Sequence, residues 1–397
     1  MRFLFVGTSP EHGGAASHFV TLARALTERG HRVHAVVHPQ GEIARHLRDS
    51  AVTLHEGTFR NALDPRGYRA VFQTAWRTQP DLLVTGFGKE YWPLILLSRL
   101  IDVPVTLFRH RLPPLHALSN YGLPRLADYF VAVSQYARRT YIAQGVPDNC
   151  VRVLYNPVDT SRCRPHAEQR RAVLRRLGLD EEVILVGYAG QMHGGKGIFT
   201  LLEALHAAMA REPRLHGLWL GDGEDVLTWR RQIEAHGMEA RHHHLGWVSD
   251  MSAFYPAMTL LAFPSVQPET FGRSAAEAQA AGVVVLGSDL GGIPETLQPN
   301  TTGLLLPAGD VEAWRDAILA MCDPVRRRPL AAAGRAFVQQ QFDAHRIADA
   351  FVHMVTPHAR RPLRTSVTRS VDAPSVRRPR SARSKPQGGR RRTNDET

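Results

Sequence analysis

The segment FPSVQPETFGRSAAEAQAAG places two carboxylates around the start of a helix. Glu269 precedes the predicted helix and Glu277 lies in its second turn, while Gly272 and Gly282 mark the two ends. The free amides of a helix N-terminus attract a diphosphate, and carboxylates accept hydrogen bonds from sugar hydroxyls. Two glutamates alone are equally typical of a helix cap and a solvated helix face. The Phe271-Gly272 pair between them favours a binding site for a sugar joined to a nucleotide.

A second segment, GYAGQMHGGKG, supplies a cation at the end of a predicted strand. The glycines around Lys196 allow close approach of the backbone, so the lysine is placed to balance phosphate charge. The spacing is not that of a Walker P-loop, because Gly197 follows the lysine where that motif requires Ser or Thr. A GTPase or ATPase is therefore disfavoured. Taken alone, the segment is also compatible with a Gly-rich turn carrying a solvated lysine.

The sequence lacks the residue patterns that metal sites and serine hydrolases require. The sequence has no Asp-x-Asp pair and no His or Cys cluster with convincing ligand spacing, so no metal site is predicted. The run His242-His243-His244 is interpreted as an ordinary strand, whose consecutive side chains point to alternate faces. No G-x-S-x-G sequence supports a serine hydrolase. The three cysteines are scattered and are interpreted as free thiols.

The elements that position these segments follow a regular order. Short β-branched runs alternate with helical patterns of about 10 to 15 residues, which indicates parallel α/β units. Six strand candidates fall in each half, from Arg2–Val6 to Val151–Leu154 and from Val183–Tyr188 to Gly303–Leu306. The prediction is an α/β protein with two Rossmann-like, doubly wound parallel sheets that face a cleft. Ligands bind beyond the carboxyl ends of such strands, where the Gly-rich loops collect.

The predicted domains are residues 1–160, residues 161–343, a helix at 344–355 that returns to the first domain, and a disordered Arg-rich tail at 356–397. The tail holds 12 Lys and Arg against 3 Asp and Glu, which accounts for most of the formal net charge of +12. Residues 1–160 are also basic, with 18 Lys and Arg against 12 Asp and Glu. No apolar run approaches the roughly 18 residues of a spanning helix, and no export signal is visible. A cytoplasmic protein, peripheral on the inner face of the membrane, is expected.

The chain resembles the family-4 glycosyltransferases, which are retaining enzymes of the GT-B fold. The resemblance extends from Met1 to about Val355. In the first half it depends on GGAASHFVTLARALTERGHRV, ADYFVAVS and VRVLYNPVD. In the second half it depends on GKG, LGDGE, HLGWVSDMSAFYPAMTLLAFPS, ETFGRSAAEAQAAG, GSDLGGIPE and TGLLLPAGD. Each motif is weak by itself, but their order and spacing are specific.

The resemblance implies roles for the second-domain residues. Lys196 would contact the donor diphosphate. Glu269 and Glu277 match the two acids of the family's E-x7-E pattern, expected at the donor sugar and at the ribose hydroxyls. Phe271 and Gly272 would present backbone amides to sugar or phosphate.

In the first half, Gly13 and Gly14 match the Gly-rich loop that closes over the donor or acceptor. His110 matches a histidine beside the reacting carbon. Catalysis is thus assigned to His110, Lys196 and Glu269. Donor binding is assigned to Gly13, Gly14, Gln191, Lys196, Phe271, Gly272, Arg273 and Glu277.

The chain departs from the family pattern at one cation. Many members have Gly-Arg-Leu where this chain has Gly190-Gln191-Met192. Either Arg273 supplies the missing charge, or Gln191 donates neutral hydrogen bonds and the donor is held less tightly.

The predicted function is metal-independent, retaining transfer of a sugar from a nucleotide-diphosphate donor, UDP- or GDP-linked, to a saccharide or lipid-linked acceptor. Cell-surface polysaccharide or lipopolysaccharide synthesis is the expected context, with no cofactor beyond the nucleotide sugar. The basic first domain and tail indicate an anionic membrane surface as a partner. The alternative interpretation is that the excess of arginine is a compositional bias with no functional role.

Four alternatives remain open at this stage. A sugar-nucleotide epimerase or an α-glucan phosphorylase shares the two-sheet plan, although nothing supports the pyridoxal-linked lysine of the latter. An inactive sugar-nucleotide binder is favoured by Gln191. Nucleic-acid binding through the tail is disfavoured, because the tail has no aromatic residue to stack on bases.

Overall fold

A computed structural model describes residues 1–10 and 13–356 of the chain. Two sheets, each composed entirely of parallel strands, organise this part of the molecule. The predicted tail lies, from residue 357 onward, outside the described residues. The seven strands of the first sheet are β1 Arg2–Gly7, β2 Arg32–Val37, β3 Thr53–Glu56, β4 Leu82–Thr85, β5 Val105–Arg109, β6 Tyr129–Ala132 and β7 Val151–Val153. The six of the second are β8 Ile184–Ala189, β9 Leu215–Leu220, β10 His242–Gly246, β11 Leu260–Phe263, β12 Val284–Ser288 and β13 Gly303–Leu306.

Both sheets are doubly wound, which confirms the predicted fold class. The strand orders are β3-β2-β1-β4-β5-β6-β7 and β10-β9-β8-β11-β12-β13. The order reverses between β1 and β4 in the first sheet and between β8 and β11 in the second. Ligands of open parallel sheets bind at such switch points, beyond the carboxyl ends of the strands. The loops after β8 and β11 carry Lys196 and Glu269.

Thirteen helices of the described residues cover the sheets. In the first half they are α1 Gly14–Glu28, α2 Glu42–Leu47, α3 Pro65–Thr78, α4 Gly88–Ile101, α5 Ala117–Leu126 and α6 Gln135–Ala143. In the second half they are α7 Ala167–Leu177, α8 Ile198–Met209, α9 Val226–Ala235, α10 Arg273–Ala280, α11 Val311–Cys322, α12 Pro324–Gln341 and α13 Ala344–Val355. Buried side chains of α1, α2 and α13 fill one face of the first sheet, and those of α3 to α6 fill the other.

Helix α13 packs on the first half of the chain, although it follows the second sheet. The Phe351 ring lies 5.9 Å from that of Phe3 and 5.6 Å from that of Phe108. Arg29 forms an ion pair of 2.7 Å with Asp349 at the surface of the same contact. The last helix of the described chain therefore completes the core around β1 and α1.

The strand β3 was not predicted from the sequence. β3 reads Thr-Leu-His-Glu and pairs with β2 at the edge of the first sheet, where all four of its residues are partly or fully exposed. An edge strand buries little apolar surface, so it lacks the apolar run that identified the other twelve.

The outer edge of the second sheet holds a group of histidines on β9, β10 and α8. His216 Nδ1 lies 3.0 Å from His243 Nε2, and the two rings stack. His242 Nδ1 accepts a hydrogen bond of 3.0 Å from the Trp219 indole, and the His206 ring lies 5.2 Å from the His242 ring. Burial lowers the pKa of all four histidines, to about 4 for His216 and about 3 for His242, and neighbouring histidines add to the effect at His206, His216 and His242.

The histidine group predicts acid-sensitive stability. A histidine whose pKa is lower in the folded state is neutral in both states above pH 6.5, and below that value the unfolded chain binds more protons. Stability should therefore fall as the pH drops from about 6.5 toward 4, with buried His242 contributing a slope of up to about 1.4 kcal/mol per pH unit. Denaturant unfolding at several pH values measures this slope. His216→Gln should reduce this slope and exposed His353→Gln should not, and a slope of His216→Gln equal to that of the unmodified chain would contradict the account.

Candidate active site in the cleft

A cleft of about 1760 Å³ opens between the carboxyl ends of the two sheets. Loops from both halves line it, as the fold class predicted. All ten sequence-predicted site residues border this one cavity: Gly13, Gly14, His110, Gln191, Lys196, Glu269, Phe271, Gly272, Arg273 and Glu277.

Backbone contact between two loops fixes the position of Lys196. The Gly195 carbonyl accepts hydrogen bonds from the amides of Val266 and Gln267, each at 3.1 Å. Gly197 has a left-handed φ of 71°, and a Cβ there would lie 1.8 Å from the Pro264 carbonyl oxygen. Only glycine allows the loops after β8 and β11 to pack this closely. The GGKG sequence thus joins the two sides of the switch point.

Lys196 forms an ion pair with Glu269 across this contact. Its ammonium group donates to Glu269 Oε1, which also accepts a hydrogen bond of 2.8 Å from the Ser265 hydroxyl. Both charged side chains keep partial exposure to the cleft. A cation and a carboxylate that both face the cavity can bind phosphate oxygens and sugar hydroxyls side by side.

The second acid of the pattern has two partners. Glu277 Oε1 accepts a hydrogen bond of 2.6 Å from Arg273 Nε, and its Oε2 accepts one of 2.8 Å from the buried Tyr255 hydroxyl. Arg273 also donates from Nη2 to the Thr21 hydroxyl of α1, at 3.2 Å. The arginine therefore links the two halves of the chain through Glu277 and Thr21.

Arg273 and Gln191, the two residues considered in place of the missing phosphate cation, differ in their contacts. Arg273 is engaged by Glu277 and Thr21, although its Nη1 atom is buried without a hydrogen-bond partner. Gln191 is exposed at the cleft wall, and its backbone carbonyl accepts a hydrogen bond of 2.5 Å from Tyr188. Both routes to phosphate that the sequence left open remain predictions.

Two helix N-termini point into the cavity. Gly272 precedes α10 with a φ of 116°, and no side chain caps that helix. Gly13 precedes α1 with a φ of 147° and also lacks a side-chain cap, while residues 11 and 12 before it lie outside the described residues. The first-turn amides of a helix have no intrahelical partner, so both ends offer donors to an anion. The Phe271 ring packs inward against Tyr155 and Phe342, which leaves the backbone of that residue at the cavity wall.

His110 lies beside a second histidine that the sequence analysis missed. The rings of His18 and His110 are 4.8 Å apart, and His18 Nδ1 lies 2.8 Å from Asn156 Oδ1. Burial lowers the pKa of His18 to about 3 and that of His110 well below its usual value, with Arg273 adding to both shifts. Both imidazoles are therefore neutral near pH 7. His110, which borders the cavity, can exchange hydrogen bonds with sugar hydroxyls, and neither imidazole can serve as a phosphate cation.

His18 could have been suspected from its position. It immediately precedes Phe19 within the apolar stripe of α1, where a polar ring must find a buried partner. Its partner Asn156 lies 138 residues away, which no local pattern reveals.

Glu90 was also missed, and it holds the start of the loop after β1. Its Oε1 accepts hydrogen bonds from the Thr8 amide at 3.0 Å and the Thr8 hydroxyl at 2.7 Å. Lys89 donates to the Thr8 carbonyl at 3.0 Å. Burial raises the pKa of Glu90 to about 7 against the opposing effect of these bonds. The three groups fix the strand end from which the Gly13-Gly14 loop departs.

Glu295 connects the second half of the chain to a helix of the first. Its carboxylate accepts from the amides of Gln135 and Tyr136, at 2.8 and 2.6 Å, and from the Tyr155 hydroxyl at 3.0 Å. Ser134 takes the next amide of α6, and its hydroxyl donates to the Thr270 carbonyl. Glu295 thus satisfies a helix N-terminus across the cleft, directly behind the Glu269 loop.

The contacts of Glu295 predict that a residue which does not border the cavity contributes to stability. Glu295→Gln keeps the size of the side chain but leaves one of the two amides facing an NH2 group. A lost helix cap costs about 0.5 to 2 kcal/mol, and the variant should lose an amount in that range. Urea unfolding measures it, with exposed Glu312→Gln on α11 as the control. A change no larger than that of the control would show that the link contributes nothing.

Two family models match the chain. Residues 12–162 match the model described as Glycosyltransferase Family 4, and residues 183–323 match the one described as Glycosyl transferases group 1. Together they cover every strand except β1 and all ten predicted site residues.

Curated relatives and solved structures agree with these models. The lipopolysaccharide core biosynthesis glycosyltransferase LpsE of Rhizobium meliloti is 27% identical over 355 residues, which are 86% of this chain and 96% of that protein. A GDP-mannose-dependent monoacylated alpha-(1-6)-phosphatidylinositol monomannoside mannosyltransferase of Corynebacterium glutamicum is 27% identical over 54% of this chain, and the chain spans only 58% of its length. The crystal structure of Anabaena HepE in complex with UDP and glucose has a TM-score of 0.78 at 23% identity, over 90% of this chain and 100% of HepE, and shows the same fold. The chain therefore belongs to glycosyltransferase family 4.

Proposed function

We propose that this glycosyltransferase moves a sugar from a nucleoside-diphosphate donor to a saccharide or lipid-linked acceptor, with retention at the anomeric carbon and without a metal ion. The observation that carries the proposal is the meeting of Lys196, Glu269, Glu277 and the N-terminus of α10 at one cavity. The complexes of HepE with UDP and with UDP-glucose support the same class of donor.

The cavity provides a partner for each part of such a donor. Lys196 and the uncapped amides at Gly272 are placed for the diphosphate, because both present positive charge to the same wall. Glu269 is placed for hydroxyls of the transferred sugar, and Glu277 for the ribose. When the donor arrives, its phosphate oxygens share Lys196 with Glu269. That carboxylate is then free to accept hydrogen bonds from the sugar.

The chemistry follows from the charge that develops. The bond from the anomeric carbon to the diphosphate oxygen breaks, which leaves an oxocarbenium-like sugar and negative charge on the leaving oxygens. Fixed donors that stabilise such charge are worth roughly 3 to 4 kcal/mol each. The acceptor hydroxyl attacks from the side that the diphosphate leaves, and a leaving-group oxygen takes its proton. The neutral His110 can accept a hydrogen bond from the sugar or donate one to it.

Metal independence is proposed because the chain supplies its own positive charge at the leaving group. Lys196 and the dipole of α10 perform the role that a divalent cation has in other transferases. Turnover should be unaffected by EDTA, and loss of turnover that Mg²⁺ or Mn²⁺ restores would contradict this part of the proposal.

The acceptor binds at the wall of the cleft that the first half of the chain forms. Arg24, Arg60, Lys89 and Arg111 line that wall of the cleft. This charge favours an anionic acceptor, and the resemblance to LpsE supports a place in cell-surface saccharide synthesis. We further propose that the protein works at the inner face of the cytoplasmic membrane.

Donor binding tests the proposal most simply. A thermal-shift screen of UDP, GDP and their sugar conjugates should give one nucleotide that raises the unfolding temperature by several degrees. A ligand at 100 times its dissociation constant adds about 2.7 kcal/mol. Lys196→Ala and Glu277→Ala should erase most of this shift. Exposed Arg230→Ala and Glu203→Ala should leave it intact, and a screen without any shift would reject the donor class.

The stereochemistry is tested on the product. Proton NMR of the product should show the anomeric configuration of the donor sugar. An inverted product, or a trapped glycosyl-enzyme adduct, would contradict attack from the same face.

A further inference from the structure

Three neighbouring helices of the first half, α3, α4 and α5, expose an unusual surface. They lie on the same face of the first sheet, where their inner sides share one core. Eight of the twelve large apolar side chains that are exposed in the described residues fall between residues 63 and 126. Seven of these lie on the three helices, and they define what we call the α3–α5 face: Phe72, Trp76, Leu96, Leu100, Leu118, Tyr121 and Leu126.

The exposure is extensive and follows the helical period. Trp76 is 70% exposed, Leu100 is 72% exposed and Leu118 is 75% exposed. On α4, Leu96 and Leu100 are one turn apart, and on α5, Leu118 and Tyr121 are three residues apart, so each helix turns an apolar stripe outward. Isolated exposed apolar residues are common, whereas a contiguous group of this size marks a binding surface.

The helices α3 and α5 are both neighbours of α4, and α5 joins α4 through side-chain contacts. The Trp92 indole of α4 donates to the Ser119 hydroxyl of α5 at 2.9 Å, and Arg99 pairs with Asp128 at 3.8 Å beyond the end of α5. On α3 the rings of Phe72 and Trp76 stack at 6.3 Å. The stripes of α4 and α5 therefore lie on helices in direct contact, and the Phe72–Trp76 pair lies on α3, which neighbours α4.

The charged side chains that are exposed within the three helices are all arginines, while the exposed Asp102 follows the end of α4 and Asp128 beyond α5 pairs with Arg99. The only carboxylate within the three helices, Glu90, is fully buried. The Arg125 guanidinium stacks on the Tyr121 ring, 3.8 Å from its centre. The exposed arginines are Arg66, Arg69, Arg77, Arg99 and Arg125.

We infer that the α3–α5 face docks on an anionic phospholipid bilayer. Trp and Tyr favour the membrane interface, leucines enter the outer hydrocarbon, and arginines are attracted to anionic headgroups. None of the described helices is long and apolar enough to cross the bilayer, so the contact is peripheral.

The position of the face relative to the cleft connects docking to the acceptor. The loop that leads into α5 lines the cavity through Arg111, Leu115 and His116. A lipid-linked acceptor that enters along α5 reaches the wall opposite Lys196 without leaving the membrane surface. The inference rests on the proposed function, since it names the surface from which that acceptor arrives.

The test uses the full chain and vesicles of phosphatidylcholine, with or without one-third phosphatidylglycerol. The basic tail can also attract anionic vesicles, so the bound fraction is measured by sedimentation near 0.5 M salt, where the screening length is roughly 4 Å. Trp76→Ser with Leu100→Ser should lower binding at least about tenfold, because each lost side chain removes apolar burial. Leu227→Ser, an equally exposed leucine on α9, should bind like the unmodified chain. Equal binding by all three would overturn the inference.

A second readout reports the contact itself. Lipids brominated near the headgroup should quench part of the tryptophan emission, and Trp76→Phe should abolish that quenching while binding persists. Arg66→Gln with Arg69→Gln should weaken binding to anionic vesicles at low salt by about fivefold per arginine. Absence of quenching would overturn the inference, as would vesicle-free dimers that dissociate on Leu100→Ser, because the face would then bind a second copy of the chain.

Thermal shift with the donor nucleotide on the same samples separates the two claims. A chain that binds the donor but shows no Trp76 quenching refutes the docking face alone. A chain that docks through Trp76 but binds no nucleotide sugar refutes the proposed function and leaves the membrane contact standing.

Discussion

The active cleft depends on the backbone contact between the loops that follow β8 and β11. Gly197 lies against the Pro264 carbonyl, and Gly195 accepts the two amides that follow Ser265. This contact brings a lysine and a glutamate, 73 residues apart in sequence, into an ion pair. Because parallel strands end at the same edge of a sheet, one such contact at the switch point sets the position of both charged groups.

A second layer of glycines supports the first. The Gly292 amide donates to the Glu269 carbonyl at 2.8 Å, and a Cβ at Gly291 would lie 2.6 Å from the Glu269 amide nitrogen. The same short segment ends in Glu295, which caps α6 of the other half of the chain. The loop that presents Glu269 is therefore held from behind by a segment that also joins the two sheets. The position of Glu269 and the relation between the two halves therefore depend on one set of contacts.

Much of this arrangement was predictable from the sequence. Runs of apolar residues identified twelve strands, and the resemblance to family-4 glycosyltransferases supplied the ten site residues, all of which border one cavity between the carboxyl ends of the strands. Gly272 and Gly282 bounded α10 correctly, because each has a left-handed backbone that favours glycine. These features are local, so the type and spacing of nearby residues carry them.

The partners of the site residues were not predictable. The Arg273 link to Thr21 and the His18 contact with Asn156 join residues 252 and 138 positions apart. Glu295 was part of a recognised motif, yet its role depends on where α6 begins in three dimensions. Edge strand β3 was missed because it buries too little apolar surface to show a pattern. Long-range polar contacts follow from the packing of whole sheets, which no short segment encodes.

The central claim is that Lys196 and the start of α10 hold the diphosphate, while Glu277 holds the nucleoside. Calorimetric titration of UDP and UMP, or of the guanosine pair if that nucleotide binds, into the unmodified chain and Lys196→Ala tests it directly. The account predicts that the diphosphate binds more tightly than the monophosphate, and that Lys196→Ala removes most of this difference while the monophosphate affinity changes little. An equal loss of affinity for both ligands, or an unchanged preference for the diphosphate, would contradict it.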